Sequence, residues 1–187
     1  MKKYYTIIFS FFLMSCGVFR DKHENYQRIN AGNVAILNGN YSIFAFKEPD
    51  EKYPFYDNAN EKFYRNYGRG VADTLKFDSL SSGNFKISVL NKDEINFKFI
   101  KNKKVVRNQT LKYKIKDDGF LYIKNRNTTI KGVPFLFGGV DVRKVRIALN
   151  PNKDLLINDV FDSSGAILLI FGDAKVWESS NTYKRIN

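Results

Sequence analysis

The chain has 187 residues, of which 43% are apolar and 16% aromatic, and its 31 Lys and Arg outnumber its 19 Asp and Glu, giving a net charge of +12. This size and apolar content fit one folded domain and exclude collagen-like, coiled-coil and wholly disordered chains. One cysteine and one histidine exclude an internal disulfide, a thiolate cluster and a paired-histidine metal site. We therefore expect no metal and no cofactor.

The first residues have the pattern of an export signal. Lys2 and Lys3 precede an apolar run from Tyr4 to Met14, and Ser15 and Cys16 follow. This layout is typical of a secretory signal peptide. The eleven residues of this run at about 1.5 Å each make a helix of roughly 16 Å, too short for a hydrocarbon core of about 30 Å. We expect residues 1–15 to be removed during export.

The segment Leu13-Met14-Ser15-Cys16 resembles the lipobox of bacterial lipoproteins. The resemblance implies cleavage between Ser15 and Cys16, a diacylglycerol on the Cys16 sulfur, and an acyl chain such as palmitate on the new amine. Two or three such chains hold a protein stably on a membrane. Gly17 after the cysteine, where better-known lipoproteins retained at the inner membrane carry Asp, implies the outer membrane of the cell envelope as the destination.

Residues 17–36 mix charges, amides and glycine with no sustained apolar period. The sequence therefore predicts a lipidated N-terminus and flexible tether over 16–36, followed by a single β domain over 37–187. His23 lies in this segment between Lys22 and Glu24, and we interpret it as a solvated loop residue.

From Leu37 onward apolar and polar residues alternate, which predicts strands with one buried face. Short turns at Gly83, 117–119, 150–153 and Gly165 separate consecutive strands and predict antiparallel pairing. The nine predicted strands are 41–46, 74–80, 84–90, 95–99, 111–115, 120–124, 145–149, 155–161 and 166–171.

Two segments break this alternation. Between Asp50 and Gly70, Asn58 followed by Glu61 forms a capping-box-like start, and an apolar residue recurs every fourth position, which predicts one short helix. In 133–139, Pro134 and a Gly-Gly pair bracket three large apolar residues. This pattern predicts an inserted loop or an edge strand that ends at a flexible turn.

Together these patterns predict an all-β domain, an antiparallel meander of about eight to nine strands. Because closure removes exposed edges, we expect a lipocalin-like barrel or a strongly curved sheet. The layout from Leu37 to Tyr183 resembles that of lipocalins, and the stretch 165–173 is similar to one in uncharacterised lipoproteins of bacteria related to Bacteroides and Flavobacterium. The latter resemblance implies no activity.

Four aromatic residues fall on the inward positions of the predicted strands: Phe85, Phe97, Phe99 and Tyr113. They either line a cavity for a small apolar or amphiphilic ligand or fill a dry core. The first alternative gives our leading hypothesis, a membrane-anchored, non-enzymatic binding module.

The stretch 95–116 holds eight basic residues and no acidic one. Lys112, Lys114 and Lys116 fall on one outer strand face, which suits an anionic partner such as lipid headgroups or lipopolysaccharide. The ordinary alternative is a solvated face that discourages edge pairing. Nucleic acid is an unsuitable partner, because the protein is addressed to the envelope and no stacking aromatics interleave with the lysines.

Catalytic motifs are missing from the sequence. It contains no nucleophile elbow, zinc-protease helix, phosphate loop or dinucleotide fingerprint. Asp73, Asp141, Asp159 and Asp173 are the candidates for a paired-carboxylate site of the kind that hydrolyses glycosides. We place each at a strand end or turn, where capping and solvation are the ordinary roles. An enzyme is therefore the third hypothesis, after a binding module and an envelope interaction protein.

Overall fold

The computed structural model describes residues 19, 25–46, 58–64, 83–124, 128–133, 137–167 and 171–186. Within these ranges the chain forms ten strands, one 3₁₀ helix and one short α-helix. The strands are β1 (Gly39–Ser42), β2 (Gly83–Val89), β3 (Glu94–Lys101), β4 (Lys104–Ile115), β5 (Leu121–Lys124), β6 (Thr128–Val133), β7 (Phe137–Leu149), β8 (Leu155–Ile167), β9 (Phe171–Tyr183) and β10 (Arg185–Ile186), and the helices are the 3₁₀ helix Val34–Leu37 and α1 (Ala59–Tyr64).

All strands belong to one antiparallel sheet with the order β10-β1-β2-β3-β4-β5-β7-β8-β9, and β6 pairs with β7 off this path. The all-β meander with one short helix is therefore confirmed. The two ends of the sheet meet where β9 leads into β10: the Ser42 N–H donates to the Lys184 carbonyl at 2.8 Å, and the Phe46 N–H donates to the Thr182 carbonyl at 2.7 Å. The first bond extends the β1–β10 pairing, whereas the second belongs to an isolated bridge to β9. The sheet is therefore strongly curved but is not a closed barrel.

Arg185 of β10 binds β1 and the segment that leads into it. Its guanidinium donates to the Ile36 and Asn38 carbonyls at 2.7 Å each and to the Tyr41 hydroxyl at 2.8 Å. Burial raises the pKa of Tyr41, although Arg185 opposes the shift. A Cβ on Gly39 would lie 2.8 Å from this guanidinium, which explains why the first strand begins with glycine.

The core lies on the concave side of the sheet. Alternate residues of β1–β5 are buried there, as the period-two pattern predicts, together with Val145 and Ile147 of β7, Ile157 of β8 and Tyr183 of β9. Residues 155–160 of β8 are all buried, so both faces of this part of the strand are covered. Phe63 of α1 packs on Phe97 with ring centroids 4.4 Å apart, so α1 covers one end of the core. The helix begins as the sequence predicts, because the Asn58 side chain accepts the Asn60 N–H at 2.9 Å.

The strands β7 and β8 are much longer than predicted, and the predicted strand 166–171 is wrong as a separate element, because its first two residues end β8 and its last begins β9. The turn predicted at Gly165 is wrong, because Gly165 lies inside β8 opposite Gly139 of β7 and Asp173 of β9. Both alternatives predicted for 133–139, an inserted loop and an edge strand that ends at a flexible turn, are wrong for the last three residues, because Phe137, Gly138 and Gly139 begin β7. A Cβ on Gly139 would lie 2.7 Å from the Ser164 carbonyl oxygen, so here glycine permits close approach of two strands. The predicted strand 74–80 lies outside the described residues.

The predicted tether is docked over much of its length. Residues 25–37, named here the N-terminal strap, run across one end of the sheet. The Gln27 N–H donates to the Leu149 carbonyl at 2.7 Å, and the Ile29 N–H donates to the Gly119 carbonyl at 2.8 Å. Ile29 is buried in the core with 2% exposure. The prediction of a free tether is therefore wrong for residues 25–36, which are packed against the sheet.

Candidate functional site

The four aromatic residues predicted for a cavity are all buried in the apolar core. Phe85 and Phe99 stack with ring centroids 5.5 Å apart, and Phe97 packs on Phe63 of α1. The Tyr113 hydroxyl donates to the Asn91 carbonyl at 2.9 Å, and burial raises its pKa. This packing favours the alternative in which these rings fill the core.

The three lysines predicted for an anionic partner lie together and are exposed on the convex side of β4 and just beyond its end. Lys112 lies opposite Glu94 of β3 and Lys124 of β5. The name basic face is used below for six lysines on the convex side of β2–β5 and its margin: Lys86, Lys98, Lys112, Lys114, Lys116 and Lys124. Glu94 is the one acidic residue that these described strands place on that side.

Two pairs of lysines on the basic face lie directly opposite each other. Lys86 of β2 faces Lys98 of β3, and Lys112 of β4 faces Lys124 of β5. Like charges in directly opposed cross-strand positions destabilise a sheet. The face therefore concentrates positive charge at a cost in stability, which distinguishes it from a surface of mixed, interspersed charges.

Neutral polar residues lie between the two lysine pairs. The Asn96 amide donates to the Asn108 side chain at 2.9 Å and to the Thr110 hydroxyl at 3.1 Å. These cross-strand bonds keep the middle of the basic face polar and uncharged. An extended convex surface of this kind suits a broad anionic partner, whereas a small ligand needs a concave pocket.

Phe19 packs at the margin of the basic face. Its ring meets the Tyr122 ring edge-on at 5.6 Å, and the Arg146 guanidinium carbon lies 4.2 Å from the centre of the Phe19 ring. Tyr122 is the cross-strand partner of Lys114, and its ring lies 3.9 Å from the Lys116 ammonium. Phe19, three residues after the predicted anchor, therefore lies beside Tyr122, which contacts Lys116 and pairs with Lys114.

A buried charge cluster lies on the concave side, above the apolar core. The Asp159 carboxylate contacts the Lys62 ammonium at 2.8 Å and the Arg143 guanidinium at 2.5 Å, and it accepts a hydrogen bond from the Ser179 hydroxyl. Burial raises the pKa of Asp159, but the two cations and the hydroxyl outweigh burial and hold that pKa below its ordinary value. An ionised carboxylate flanked by two cations is suited to joining α1, β7, β8 and β9, and unsuited to acting as a general acid.

This cluster was not predicted from the sequence. Asp159 was expected at a strand end or turn, whereas it lies inside the long strand β8 and is buried. Arg143 and Lys62 carried no signal, because their partner is distant in sequence. Asp141 is also buried, and it accepts a hydrogen bond from Ser163 at 2.8 Å.

An aromatic pair lies next to this cluster on the same side of the sheet. Phe161 of β8 and Trp177 of β9 are directly opposed and stack with ring centroids 5.5 Å apart and an interplanar angle of 27°. Trp177, the single tryptophan of the chain, is 53% exposed. Its rarity in the sequence was the one signal that pointed to it.

No protein-family model, curated protein or solved structure matches this chain. Across the described residues, no three or more His, Cys, Asp or Glu side chains group in a way that would hold a metal ion. Among the helices of that same part of the chain, none has the length and apolar character needed to cross a membrane.

Proposed function

We propose that the protein is a lipoprotein of the bacterial cell envelope that is anchored through Cys16 and contacts anionic headgroups with its basic face. The observation that carries this proposal is the position of Phe19 beside Tyr122 and Arg146. Cys16 precedes Phe19 by three residues, which span at most about 11 Å. An acylated Cys16 therefore brings the margin of the basic face close to the membrane surface.

Electrostatics supports the same arrangement. A lysine near an anionic membrane surface contributes about 1 kcal/mol, and this attraction decays over a Debye length of about 8 Å at physiological ionic strength. Six lysines on one side of β2–β5 lie within that range only if the face is turned toward the membrane. The acyl chains supply the anchorage, and the basic face sets the orientation of the domain.

The core packing of Phe85, Phe97, Phe99 and Tyr113 is the reason that this proposal rests on the basic face. The earlier hypothesis of an apolar ligand bound among these four side chains receives no comparable support from their contacts. By contrast, the convex surface with its paired lysines is exposed, and its margin lies beside Phe19, three residues after the predicted anchor.

Vesicle binding tests the proposal. Residues 16–187 with Cys16→Ser, which blocks acylation, are sedimented with vesicles of zwitterionic lipid containing 0 or about 30% anionic lipid; salt should weaken the binding to the anionic vesicles. The variant Lys112→Glu, Lys114→Glu, Lys116→Glu should lose this binding. A control with the same change of net charge, Lys104→Glu, Lys175→Glu, Lys184→Glu, should retain it. Equal loss in both variants would show that net charge alone matters and would contradict the proposal.

A further inference from the structure

The stacked pair of Phe161 and Trp177 occupies an unusual position for exposed aromatic side chains. The two residues lie on the same side of the sheet as the core, where most described neighbours along β7 and β8 are buried. Trp177 nevertheless exposes about half of its surface. An exposed, stacked indole is a flat apolar platform that its neighbour already holds in place. The indole side chain therefore loses little conformational entropy when a ligand covers it.

Polar side chains flank this platform on both sides along the strands. Toward the core, the next directly opposed pair is Asp159 and Ser179, which belongs to the buried charge cluster. Away from the core, the next pair is Ser163 and Lys175. Ser163 is half-buried, and Lys175 is exposed. The aromatic platform is therefore bordered by hydrogen-bonding groups at both ends.

This arrangement selects one class of ligand. An aliphatic chain laid across the platform would remove the adjacent charged and hydroxyl side chains from water without offering them hydrogen bonds, which is costly. A pyranose ring has a flat face of C–H groups and a rim of hydroxyls that both donate and accept hydrogen bonds. Its apolar face matches the exposed indole, and its rim matches Lys175 and Ser163 on the side away from the core, where the Ser163 hydroxyl donates to Asp141 at 2.8 Å and offers its oxygen as an acceptor.

We propose that Trp177, Phe161, Ser163 and Lys175 form a binding site for a sugar ring, that is, for a saccharide unit of a glycan. Trp177 stacks on the C–H face of the sugar, and Phe161 supports the indole from behind. Ser163 and Lys175 bind the hydroxyl rim on the side away from the core. This site is separate from the basic face, because it lies on the concave side of the sheet.

The single tryptophan makes the test direct, because all indole fluorescence comes from Trp177. Residues 16–187 with Cys16→Ser are titrated with soluble oligomers of hexoses and of N-acetylhexosamines, and binding is measured by fluorescence and by calorimetry. We expect a saturable change in emission with at least one of these oligomers. Trp177→Ala should weaken its binding at least about tenfold in calorimetry, and Ser163→Ala should weaken it by a smaller factor.

Two controls keep the result interpretable. Trp177→Phe retains an aromatic ring and should bind more tightly than Trp177→Ala, and circular dichroism establishes that both variants are folded. The Lys112→Glu, Lys114→Glu, Lys116→Glu variant should bind sugar normally, so failure of the membrane proposal and of this one are separable. No saturable response to any oligomer, equal binding by Trp177→Ala, or an emission shift with zwitterionic vesicles or an unstructured peptide in place of sugar would overturn the assignment.

Discussion

Lys62 of α1 and Asp159 of β8 form a buried ion pair, with 2.8 Å between the Lys62 Nζ and the Asp159 Oδ1 and with side-chain exposures of 7% and 8%. Arg143 of β7 contacts the other carboxylate oxygen. One carboxylate therefore holds a short helix against two long strands. Because two cations share it, its removal leaves both of them in a poorly hydrated environment.

Replacing Asp159 with Asn should lower the free energy of unfolding by about 3 to 5 kcal/mol, because Lys62 and Arg143 are left without their carboxylate. Urea denaturation at neutral pH measures the effect. Asp117→Asn is a suitable control, since Asp117 is exposed in the turn between β4 and β5. A loss no larger than that of the control would contradict the structural role of Asp159.

The same carboxylate predicts a pH dependence of stability. Its pKa is lowered in the folded protein, so its stabilising effect is complete above the unfolded pKa of about 3.9 and is lost as the pH falls through the lower folded pKa. The difference in unfolding free energy between the unaltered protein and Asp159→Asn should therefore shrink as the pH decreases below about 4. Denaturation series at neutral and acidic pH measure it, and a constant difference would contradict the low pKa.

Replacing Gly119 with Ala should release the N-terminal strap. Gly119 has a φ of +80°, and an added Cβ would lie 2.8 Å from the Arg28 Cβ. The left-handed conformation alone costs a non-glycine residue about 1 to 2 kcal/mol. Trypsin cleavage after Arg28 should become faster, as measured by mass spectrometry of the products.

Gly132→Ala provides the matched control for this prediction, because Gly132 also has a positive φ of 87° but lies in β6. It should impose the backbone strain without exposing Arg28 to trypsin. If both variants released the strap equally, the cause would be global destabilisation. That result would contradict a specific role for the contact between Gly119 and the strap.

Replacing Lys124 with Glu should separate the stability of the sheet from its binding. Lys124 lies directly opposite Lys112, so the change turns a repulsive pair into an attractive one and should raise the free energy of unfolding by about 0.2 to 1 kcal/mol. The same variant should bind anionic vesicles more weakly. Denaturation and vesicle sedimentation measure the two effects, and a variant that gained stability with unchanged binding would speak against a role for this lysine pair.

The part of the fold with regular alternation follows from the sequence. In β2 and β3, apolar residues such as Phe85 and Phe97 alternate with Lys86 and Lys98, and each group lies on its predicted side. The turn at Gly119 is also confirmed. These elements were predictable because one face is apolar and the other is charged, so a shift of one residue would exchange the two faces.

The full lengths of β8 and β9 could not be predicted from the sequence, because polar residues occupy inward positions in these strands. In β8 and β9, Asp159, Ser163 and Ser179 point to the same side as the core residue Ile157, so the apolar alternation stops although the strands continue. The N-terminal strap lacks any period because backbone hydrogen bonds hold it, including that of Ile29 to Gly119. Such pairings over long sequence distances leave no local pattern.

The orientation of the anchored domain on the membrane tests the central claim most directly. The acylated full chain carries either Lys114→Cys on the basic face or Lys175→Cys, an exposed position on the concave side of β9 that loses the same charge, and a fluorophore is attached to the new thiol. The protein is then inserted into anionic vesicles whose headgroups bear a quencher. We expect strong quenching at position 114 and little at position 175, and equal quenching, or stronger quenching at position 175, would contradict the proposed orientation.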